Sequence, residues 1–399
     1  MIINGKDAVP NSKHNCVEVF WRIKMRILHI NANYIFTSLH QNMILNLNRL
    51  GISNSVFVPV SDAQAGVVEP IENVKVIECF RKYDRVWFGY KQKKIQNAII
   101  DAFDIKSFDC IHAYTLFTDG NCALDLKKKF NIPYIVAVRN TDVNTFFKYM
   151  PHLRKKGVSI LENAEKIIFL SESYKNTVLN KYVSAKKKEF IEKKCAIIPN
   201  GIDPFWLNNI YKNRDYEEAR KRFEEKNVKI IYVGTIDENK NIELTISAIN
   251  KLRSVGWNIT YTVIGAVRNK RIYENNKNIP YIRFIDRLPK EELIKHYREA
   301  DIFIMPSHHE TFGLVYAEAM SQGLPVIYTK GQGFDGNFED GEVGYSVLDK
   351  STEDVVKSIK KCVRLYTQIS LRCLKKVMKF DWGIINENYY NIYIAIRRR

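Results

Sequence analysis

Short apolar segments alternate with longer segments of helical periodicity along this chain, and this alternation sets the strongest limit on its fold. In the first part of the chain, strands are predicted at Arg26–Ile30, Cys110–Ala113 and Tyr134–Val138, and intervening segments such as Leu39–Leu50 carry apolar residues at helical spacing. A chain in which strands alternate with helices builds a parallel sheet covered by helices. The first part is therefore predicted to form a doubly wound α/β sheet that ends near Leu170.

The same alternation begins again after a turn. The turn is Pro199–Asp203, whose proline, asparagine and glycine interrupt regular structure, and the next predicted strand is Lys229–Val233. Because 399 residues exceed what one hydrophobic core usually serves, the two alternating parts are predicted to be two domains. The predicted organisation is an N-terminal extension or start-site artefact at 1–24, a first Rossmann-like domain at 25–197, a second at 198–380, and at 381–399 a C-terminal helix that packs back on the first domain.

Composition and charge exclude several classes of protein. The chain is 46% hydrophobic and 27% charged, which is typical of a globular protein, and no apolar run approaches the ~20 residues that span a bilayer. A net charge of +18 indicates attraction to nucleic acid, anionic lipid or acidic substrates. Residues 1–24 lack the apolar centre of a signal peptide, and the seven cysteines form no CxxC pair. We therefore expect a cytoplasmic protein in a reducing compartment.

The segment Met305–Val326 carries the most informative polar residues. A buried strand leads into a loop, and a helix is predicted to begin near Gly313, with Glu310 before it and Glu318 about one turn inside it. Backbone N–H groups at a helix N-terminus attract phosphate, and glycine lets a ligand approach the backbone. A diphosphate held between two hydroxyl-binding carboxylates would suit a nucleotide sugar. The alternative is a capped amphipathic helix with two solvated acids.

Three further motifs, taken together with this glutamate pair, resemble those of a known enzyme family. They are Ile198–Asp203 with the sequence IPNGID, Val233–Asn241 with VGTIDENKN, and His112–Phe117 with HAYTLF. From Met25 onwards the chain resembles the GT-B glycosyltransferases of family four, which are retaining transferases that use nucleotide sugars. The resemblance implies an α/β GT-B fold, in which two Rossmann-like doubly wound domains face a central cleft. It also implies a metal-independent transferase of the hexosyltransferase type.

The resemblance implies a role for each residue of the donor site. Glu318 would hold the ribose hydroxyls, Glu310 would face the hydroxyls of the donor sugar, and Lys240 would clamp the diphosphate. Backbone N–H groups at 312–314 would stabilise the charge that develops on the leaving diphosphate. The predicted donor-binding residues are Glu318, Lys240, Gly234, Thr235, Thr311, Phe312, Gly313, Leu314 and Arg268.

Three features depart from the family pattern. Thr235 stands where an arginine usually completes the diphosphate clamp, and Arg268 or Lys330 are the candidates to restore that charge. The loop Gly331–Gly336 differs from the commoner glycine-glycine loop; it either contacts phosphate or sugar through backbone N–H groups or is a plain connector. The loop Asn31–Ser38 lacks the glycine pair that is typical of the acceptor side.

The catalytic candidates besides Glu310 lie in the first domain. Val138–Asp142 resembles the acceptor-side element of the family, which often carries histidine near the position of Arg139. Arg139 and Asp142 are therefore predicted to assist transfer, and the alternative for them is a structural cap. His112, at a strand end nearby, is predicted to be a hydrogen-bonded histidine of the core.

The predicted function is a retaining glycosyltransferase of polysaccharide biosynthesis. It would move a sugar from a nucleotide diphosphate sugar, for which we expect a UDP-sugar, to a lipid-linked or cell-surface glycan acceptor. Bases and aromatic residues interleave over Arg81–Lys94, so this run is a candidate for peripheral binding to the anionic inner face of a membrane; the alternative is a solvated face.

Two other classes of function stay open. One is a GT-B sugar-nucleotide epimerase or phosphorylase that works without an acceptor. The other, less favoured, is a basic nucleic-acid-binding protein, although the sequence has no helix-turn-helix, zinc-finger or RRM signature and we expect no nucleic-acid partner. No cofactor and no metal are expected, because His308 and His309 adjoin Glu310 without an HExxH pattern.

Overall fold

The computed structural model of the protein describes residues 25–62 and 72–397. The predicted extension at 1–24 lies outside the described residues. The described strands form two sheets, of seven and six strands, and all neighbouring strands within each sheet are parallel. The predicted architecture of two Rossmann-like doubly wound units is therefore confirmed.

The first sheet forms from the first half of the chain. Its strands are β1 (Arg26–Ile30), β2 (Ser53–Ser61), β3 (Val74–Phe80), β4 (Cys110–Ala113), β5 (Tyr134–Val138), β6 (Lys166–Phe169) and β7 (Cys195–Ile197). Its helices are α1 (Ser38–Arg49), α2 (Phe88–Ala102), α3 (Asp119–Phe130), α4 (Pro151–Asn163), α5 (Glu172–Lys181) and α6 (Ala185–Glu192). The strand order is β3-β2-β1-β4-β5-β6-β7, so the order reverses between β1 and β4.

The second sheet repeats this plan. Its strands are β8 (Asn227–Val233), β9 (Asn258–Ile264), β10 (Ile282–Ile285), β11 (Ile302–Met305), β12 (Val326–Thr329) and β13 (Gly344–Val347). Its helices are α7 (Pro204–Asn208), α8 (Tyr216–Glu224), α9 (Ile242–Arg253), α10 (Lys270–Asn276), α11 (Lys290–Glu299), α12 (Leu314–Ser321), α13 (Thr352–Arg364) and α14 (Tyr366–Lys376). The order is β10-β9-β8-β11-β12-β13, and it reverses between β8 and β11. Ligands of doubly wound sheets bind outside the carboxyl ends of the strands at such a reversal.

Local sequence explains where several of these elements begin and end. Thr37 starts α1 because its hydroxyl accepts a hydrogen bond from the N–H of Leu39, and Ser171 starts α5 in the same way through the N–H of Tyr174. Asn131 ends α3 in the left-handed conformation, with φ of 57°. The central strands β4, β5, β11 and β12 are fully buried, as continuous apolar runs in parallel sheets usually are, whereas β3, β7 and β10 at the sheet edges are only partly buried.

The last helix, α15 (Trp382–Arg397), returns to the first sheet. Its residues Trp382, Tyr389 and Tyr393 are buried in the core that Ile27 of β1 and Cys110 of β4 also share. The hydroxyl of Tyr393 lies 2.7 Å from Nδ1 of His112, which is buried. The prediction that His112 is a hydrogen-bonded core histidine is therefore confirmed.

Strand β13 and helices α2 and α10 are among the elements that were not predicted from the sequence. Strand β13 contains glycine and serine, the short helix α10 lies between polar residues, and α2 covers much of the basic run Arg81–Lys94. Over the residues that the structure describes, no helix combines the length and the apolar character that crossing a membrane requires.

Candidate functional site

A cleft of about 720 Å³ opens between the two sheets. Thr37 and Asn42 contribute to its wall from the first domain, and Trp382 contributes from α15. On the second domain, the predicted donor-binding residues in the wall are Gly234, Thr235, Arg268, Leu314 and Glu318. Lys240 and Glu310 are not among the residues of this wall but contact each other close to it.

The loops that follow β8 and β11 are tied to each other by asparagine side chains. Asn239 Nδ2 donates to the carbonyl of His309 at 2.8 Å, and the N–H of His309 donates to Asn239 Oδ1 at 3.0 Å. Asn241, in the left-handed conformation at the start of α9, donates to the carbonyl of Pro306 at 3.0 Å. These bonds place Lys240 against Glu310, although the two residues are far apart in the sequence.

Both the side chain and the backbone of Glu310 are fixed by contacts within the protein. Its Oε2 lies 2.6 Å from Nζ of Lys240, and its Oε1 accepts the N–H of Thr311 at 3.1 Å. Its own N–H donates to Oε1 of Gln332 at 3.1 Å, and its carbonyl accepts the hydroxyl of Tyr174, from α5 of the first domain, at 2.5 Å. The side chain is therefore fixed before any ligand binds, with its one ion-pairing partner on the neighbouring loop.

The loop Gly331–Gly336 braces this arrangement. The N–H of Gly333 donates to the carbonyl of Glu310 at 3.1 Å, and a Cβ added at Gly333 would lie 1.8 Å from the carbonyl oxygen of Thr311. The N–H of Gly331 donates to Oδ2 of Asp335 at 2.7 Å. The N–H groups of Gly331 and Gly333, for which contact with phosphate or sugar was one of two alternatives, are used within the protein, so the loop acts here as a support for Glu310.

The start of α12 exposes backbone to the cleft and directs one side chain away from it. Gly313 has φ of 73°, a conformation that favours glycine, and a Cβ there would lie 2.4 Å from the ring of Tyr316. Leu314, the first residue of α12, lines the cleft, whereas the Phe312 side chain is buried against Phe380. Phosphate binding by the backbone at this helix start stays a prediction.

Glu318 lies one turn inside α12 on the wall of the cleft. The hydroxyl of Tyr297 donates to its Oε2 at 3.4 Å. Burial raises the pKa of Glu318 to about 7, and the Tyr297 hydrogen bond opposes that shift only in part. A carboxylate with so few partners in the protein is free to accept hydrogen bonds from a ligand.

The floor of the cleft is made of closely packed backbone. A Cβ added at Gly265, after β9, would lie 1.9 Å from the carbonyl oxygen of Gly234, after β8. Thr235 does not supply the missing positive charge; its carbonyl accepts the hydroxyl of Tyr232 at 2.7 Å. Arg268 lines the cleft as predicted, and Arg287, after β10, lines it as well. Arg287 was not predicted from the sequence, although its place just beyond a strand end was a usable signal.

Comparison with known proteins identifies the family to which the chain belongs. Residues 41–205 match the family described as Glycosyltransferase Family 4, and residues 213–372 match the family described as Glycosyl transferases group 1. Together these matches cover the second sheet, all of the first sheet except β1, and the loops that carry Lys240 and Glu310. The chain is a GT-B glycosyltransferase of the family four type.

Relatives of this glycosyltransferase match most of its chain at modest identity. An uncharacterized glycosyltransferase of Methanocaldococcus jannaschii is 25% identical over 72% of this chain and 73% of its own. The capsular polysaccharide biosynthesis glycosyltransferase CapM of Staphylococcus aureus is 28% identical over 58% of this chain and 61% of its own. Alpha-monoglucosyldiacylglycerol synthase of Acholeplasma laidlawii is 26% identical over 63% of this chain and 65% of its own, so for these last two the match spans less than two thirds of the relative.

Solved structures agree with the glycosyltransferase fold. Sucrose-phosphate synthase from Thermosynechococcus elongatus superposes with a TM-score of 0.70 and 18% identity, over 93% of this chain and 99% of that one. The HepE protein of Anabaena, solved in complex with UDP, superposes with a TM-score of 0.67 and 15% identity, over 94% of this chain and 100% of that one. At these identities the likeness establishes the GT-B fold.

The first-domain candidates of the glycosyltransferase occupy different environments. The carboxylate of Asp142 is buried and accepts hydrogen bonds from the N–H groups of Leu116, Phe117 and Arg139 at 2.9, 3.1 and 2.9 Å. Burial raises its pKa to about 6, against the effect of these bonds. This environment matches the structural cap that was the alternative for Asp142, and a part in transfer stays a prediction.

Arg139 and its neighbour face the second domain more directly. Arg139 Nε donates to the carbonyl of Tyr114 at 3.2 Å, and Nη1 donates to Oδ1 of Asn200 at 3.3 Å. Asn140 Nδ2 donates to Oγ1 of Thr311 at 3.3 Å, next to Glu310. The predicted acceptor-side element thus reaches the donor-side loop through Asn140, which was not among the predicted site residues.

The remaining predicted features of the glycosyltransferase lie outside the cleft. Lys330 is exposed and is absent from the cleft wall. His308 pairs with Asp349, with Nδ1 and Oδ2 2.7 Å apart. Among residues 25–62 and 72–397, no group of three or more His, Cys, Asp and Glu side chains is arranged to hold a metal ion.

Proposed function

We propose that the protein is a retaining glycosyltransferase that moves a hexosyl group from a nucleotide diphosphate sugar to a lipid-linked or cell-surface glycan. The observation that carries this proposal is that the start of α12 and Glu318 line one cleft, while Lys240 and Glu310 pair on the loops that lead into α9 and α12. Along this loop and helix, Glu310, the start of α12 and Glu318 follow one another, as the sugar, the diphosphate and the ribose do in such a donor.

The donor would bind along the second-domain wall. Glu318, which lacks strong partners in the protein, would accept hydrogen bonds from the ribose hydroxyls. The diphosphate would lie at the backbone of Gly313 and Leu314, where Arg268 and Lys240 would offset its charge. Binding would draw Lys240 from Glu310 towards phosphate, and this would release the Glu310 carboxylate for the hydroxyls of the sugar. A UDP-sugar is proposed because the structurally similar HepE protein is described in complex with UDP.

Transfer would proceed by attack of the acceptor on the same face of the sugar that the diphosphate leaves. The oxygen of the leaving phosphate would take the proton of the acceptor hydroxyl, so no protein nucleophile is assigned. Lys240, Arg268 and the helix N-terminus would stabilise the charge that collects on the diphosphate. These groups supply that stabilisation through the protein itself, which is the basis for proposing metal-independent transfer.

The acceptor side is proposed to work at the anionic inner face of a membrane. Four apolar side chains following β3, here called the aromatic rim, are largely exposed: Tyr83 is 81%, Val86 82%, Trp87 73% and Tyr90 57% accessible. Exposed Lys82 and Lys93 flank them. Strands of a parallel sheet end at one edge, and Thr37, beyond β1, lies on the cleft at that edge. The rim would therefore bring the cleft towards anionic headgroups, in keeping with relatives named for capsular polysaccharide and for glucosyldiacylglycerol synthesis.

The test begins with binding and ends with product analysis. The melting temperature is measured with UDP-, GDP- and ADP-sugars, because a bound donor stabilises the folded state; a rise with at least one of them is expected, and no rise with any would contradict the proposal. The donor that binds is then incubated with lipid-linked acceptors and with EDTA, and the anomeric configuration of the product is determined. A product with inverted anomeric configuration would contradict a retaining mechanism, and turnover of the donor without an acceptor would indicate an epimerase.

A further inference from the structure

Beside the first-domain wall of the cleft lies a group of hydrogen-bond donors to which the proposed function gives no role. We call it the Arg139 cluster: His40 of α1, Tyr114 after β4, Arg139 after β5 and Trp382 of α15. Trp382 and Leu39, the neighbour of His40 in the sequence, line the cleft. The cluster therefore adjoins the wall that faces the donor-binding residues.

Contacts among these residues hold them together. The ring of His40 packs edge-on against the ring of Tyr114, with centroids 4.7 Å apart, and the carbonyl of Tyr114 accepts Nε of Arg139. On its other side Arg139 donates to Asn200. The next residue, Gly201, packs so closely on Trp382 that a Cβ there would lie 2.5 Å from the indole ring. Arg139 is thus the link between the histidine and the tryptophan.

The positive charge of Arg139 interacts with the buried carboxylate of Asp142 but forms no ion pair with it. Within the described parts of the chain, its guanidinium forms no ion pair, and Asp142, three residues later, spends its carboxylate on three backbone N–H groups. Burial lowers the pKa of His40 to about 3, with the charge of Arg139 as a further cause, so its imidazole is neutral. The cluster carries one net positive charge in a partly desolvated place.

Two buried N–H positions of the cluster also lack acceptors. His40 is 8% exposed and Trp382 4%, and neither Nδ1 of His40 nor Nε1 of Trp382 has a hydrogen-bond partner among the residues that the structure describes. An indole N–H can only donate, and a neutral imidazole can donate from Nδ1 in one of its tautomers. Because leaving buried donors unpaired is unfavourable, a ligand that offers several acceptor oxygens would complete this site.

We propose that the Arg139 cluster binds an anionic group of the acceptor, a phosphoryl or carboxylate group, and that Arg139 thereby determines acceptor specificity. The inference rests on the proposed function, because it takes the first-domain side of the cleft as the acceptor side. The planar guanidinium matches two oxygens of a phosphate or carboxylate at once, which an ammonium or a neutral histidine does not. An acceptor without such a group would leave the cluster unsatisfied.

The test measures protection against thermal unfolding with the donor site filled. Melting temperatures are recorded in saturating UDP with glucose 1-phosphate, glucuronate or the neutral methyl glucoside, so that the phosphoryl and carboxylate arms are separated. We expect one or both anions to raise the melting temperature of the wild type and the neutral sugar to have little effect. In Arg139→Gln the apparent affinity for the anion should fall about tenfold or more, as expected for loss of charge-assisted hydrogen bonds.

Two further variants control this result. Lys128→Gln removes an exposed charge from the same domain, at the far end of α3, and should respond to the anions as the wild type does. Arg139→Lys keeps the charge without the planar fork and should respond weakly; it replaces Arg139→Gln if the ligand-free melting curve shows that the latter is unfolded. UDP that fails to stabilise the wild type contradicts the UDP donor of the proposed function. UDP that stabilises it while anions protect Arg139→Gln equally, or protect no variant, overturns only the anion site.

Discussion

Replacing Glu310 by glutamine should separate donor binding from transfer. Glutamine keeps the size of the side chain and an acceptor for the N–H of Thr311, but it removes the charge that holds Lys240 at 2.6 Å. If the diphosphate must draw Lys240 away from Glu310, the variant no longer opposes that step. UDP should then bind at least as tightly as to the wild type, while transfer loses the carboxylate that faces the sugar.

The size of the effect follows from the pair itself. A hydrogen bond between charged groups contributes about 1.5–3 kcal/mol, and the side chains of Lys240 and Glu310 are 20% and 11% accessible, so partial screening reduces this to about 1–2 kcal/mol. Released to the nucleotide, that amount lowers the Kd for UDP by roughly five- to thirtyfold. Loss of one preorganised group in the transition state lowers kcat by about a hundredfold or more.

Titration calorimetry with UDP on four proteins measures both sides of this argument. They are the wild type, Glu310→Gln, Lys240→Met and the double variant, whose cycle gives the coupling between the two residues. Lys240→Met should weaken UDP and, because it leaves Glu310 buried without its partner, should destabilise the protein by about 2 kcal/mol. Glu353→Gln breaks an exposed Lys–Glu pair outside the cleft and serves as the control. A Glu310→Gln protein that binds UDP more weakly than the wild type, or transfers at full rate, would refute the reasoning.

Three other predictions test separate parts of the structure. Glu318→Ala should weaken the binding of UDP about tenfold. Because burial raises the pKa of Glu318 to about 7, the stabilisation of the folded state by this residue is complete below its ordinary pKa of 4.5 and is lost as the pH rises to about 7, while the affinity for UDP rises as the carboxylate ionises. An unchanged pH profile of UDP affinity in Glu318→Gln would count against this role. Gly333→Ala should lower the melting temperature by several degrees and reduce kcat, because its Cβ would meet backbone, whereas Gly89→Ala, with open space around it, should be neutral or stabilising; equal melting temperatures would be inconsistent with the bracing loop. Trp87→Ser should reduce cosedimentation with anionic vesicles and leave cosedimentation with neutral vesicles unchanged. Equal recovery of the wild type with both kinds of vesicle would contradict the proposal that the aromatic rim binds an anionic membrane.

The sequence predicted the sheets well because their signal is local. An apolar run such as β11 is visible in consecutive residues, and the helix that begins at Leu314 follows from glycine and helical spacing. Strand β13 was not predicted because Gly344 and Ser346 interrupt its apolar residues, and the strand is recognised only by its pairing with β12. Whether so short a segment forms a strand depends on its neighbours in the sheet, and a local sequence pattern does not contain them.

The residues proposed for the donor site were named one by one from the sequence, but the contacts between them were not predicted. Lys240 and Glu310 each follow a strand of the second sheet, so a common edge was expected, yet their ion pair depends on Asn239 and Asn241 joining two loops. Arg287 was missed because its contribution depends on how far β10 extends before the chain turns back to the cleft. Such contacts depend on strand register and loop geometry, and they join residues that lie many positions apart along the chain.

The two domains meet on the same short loop, and this links donor binding to the opening of the cleft. From the first domain, Tyr174 donates to the carbonyl of Glu310, and Asn140 donates to the hydroxyl of Thr311. From the second domain, Lys240, Gln332 and the N–H of Gly333 hold the same loop. Each neutral hydrogen bond contributes about 1 kcal/mol net, so separating the domains at these contacts would cost about 2 kcal/mol. The bonds within the second domain would survive such a separation, because none of them crosses the cleft. Opening would therefore admit a donor to a site that keeps its shape, and closing would return Tyr174 and Asn140 to the loop that holds the sugar-facing carboxylate.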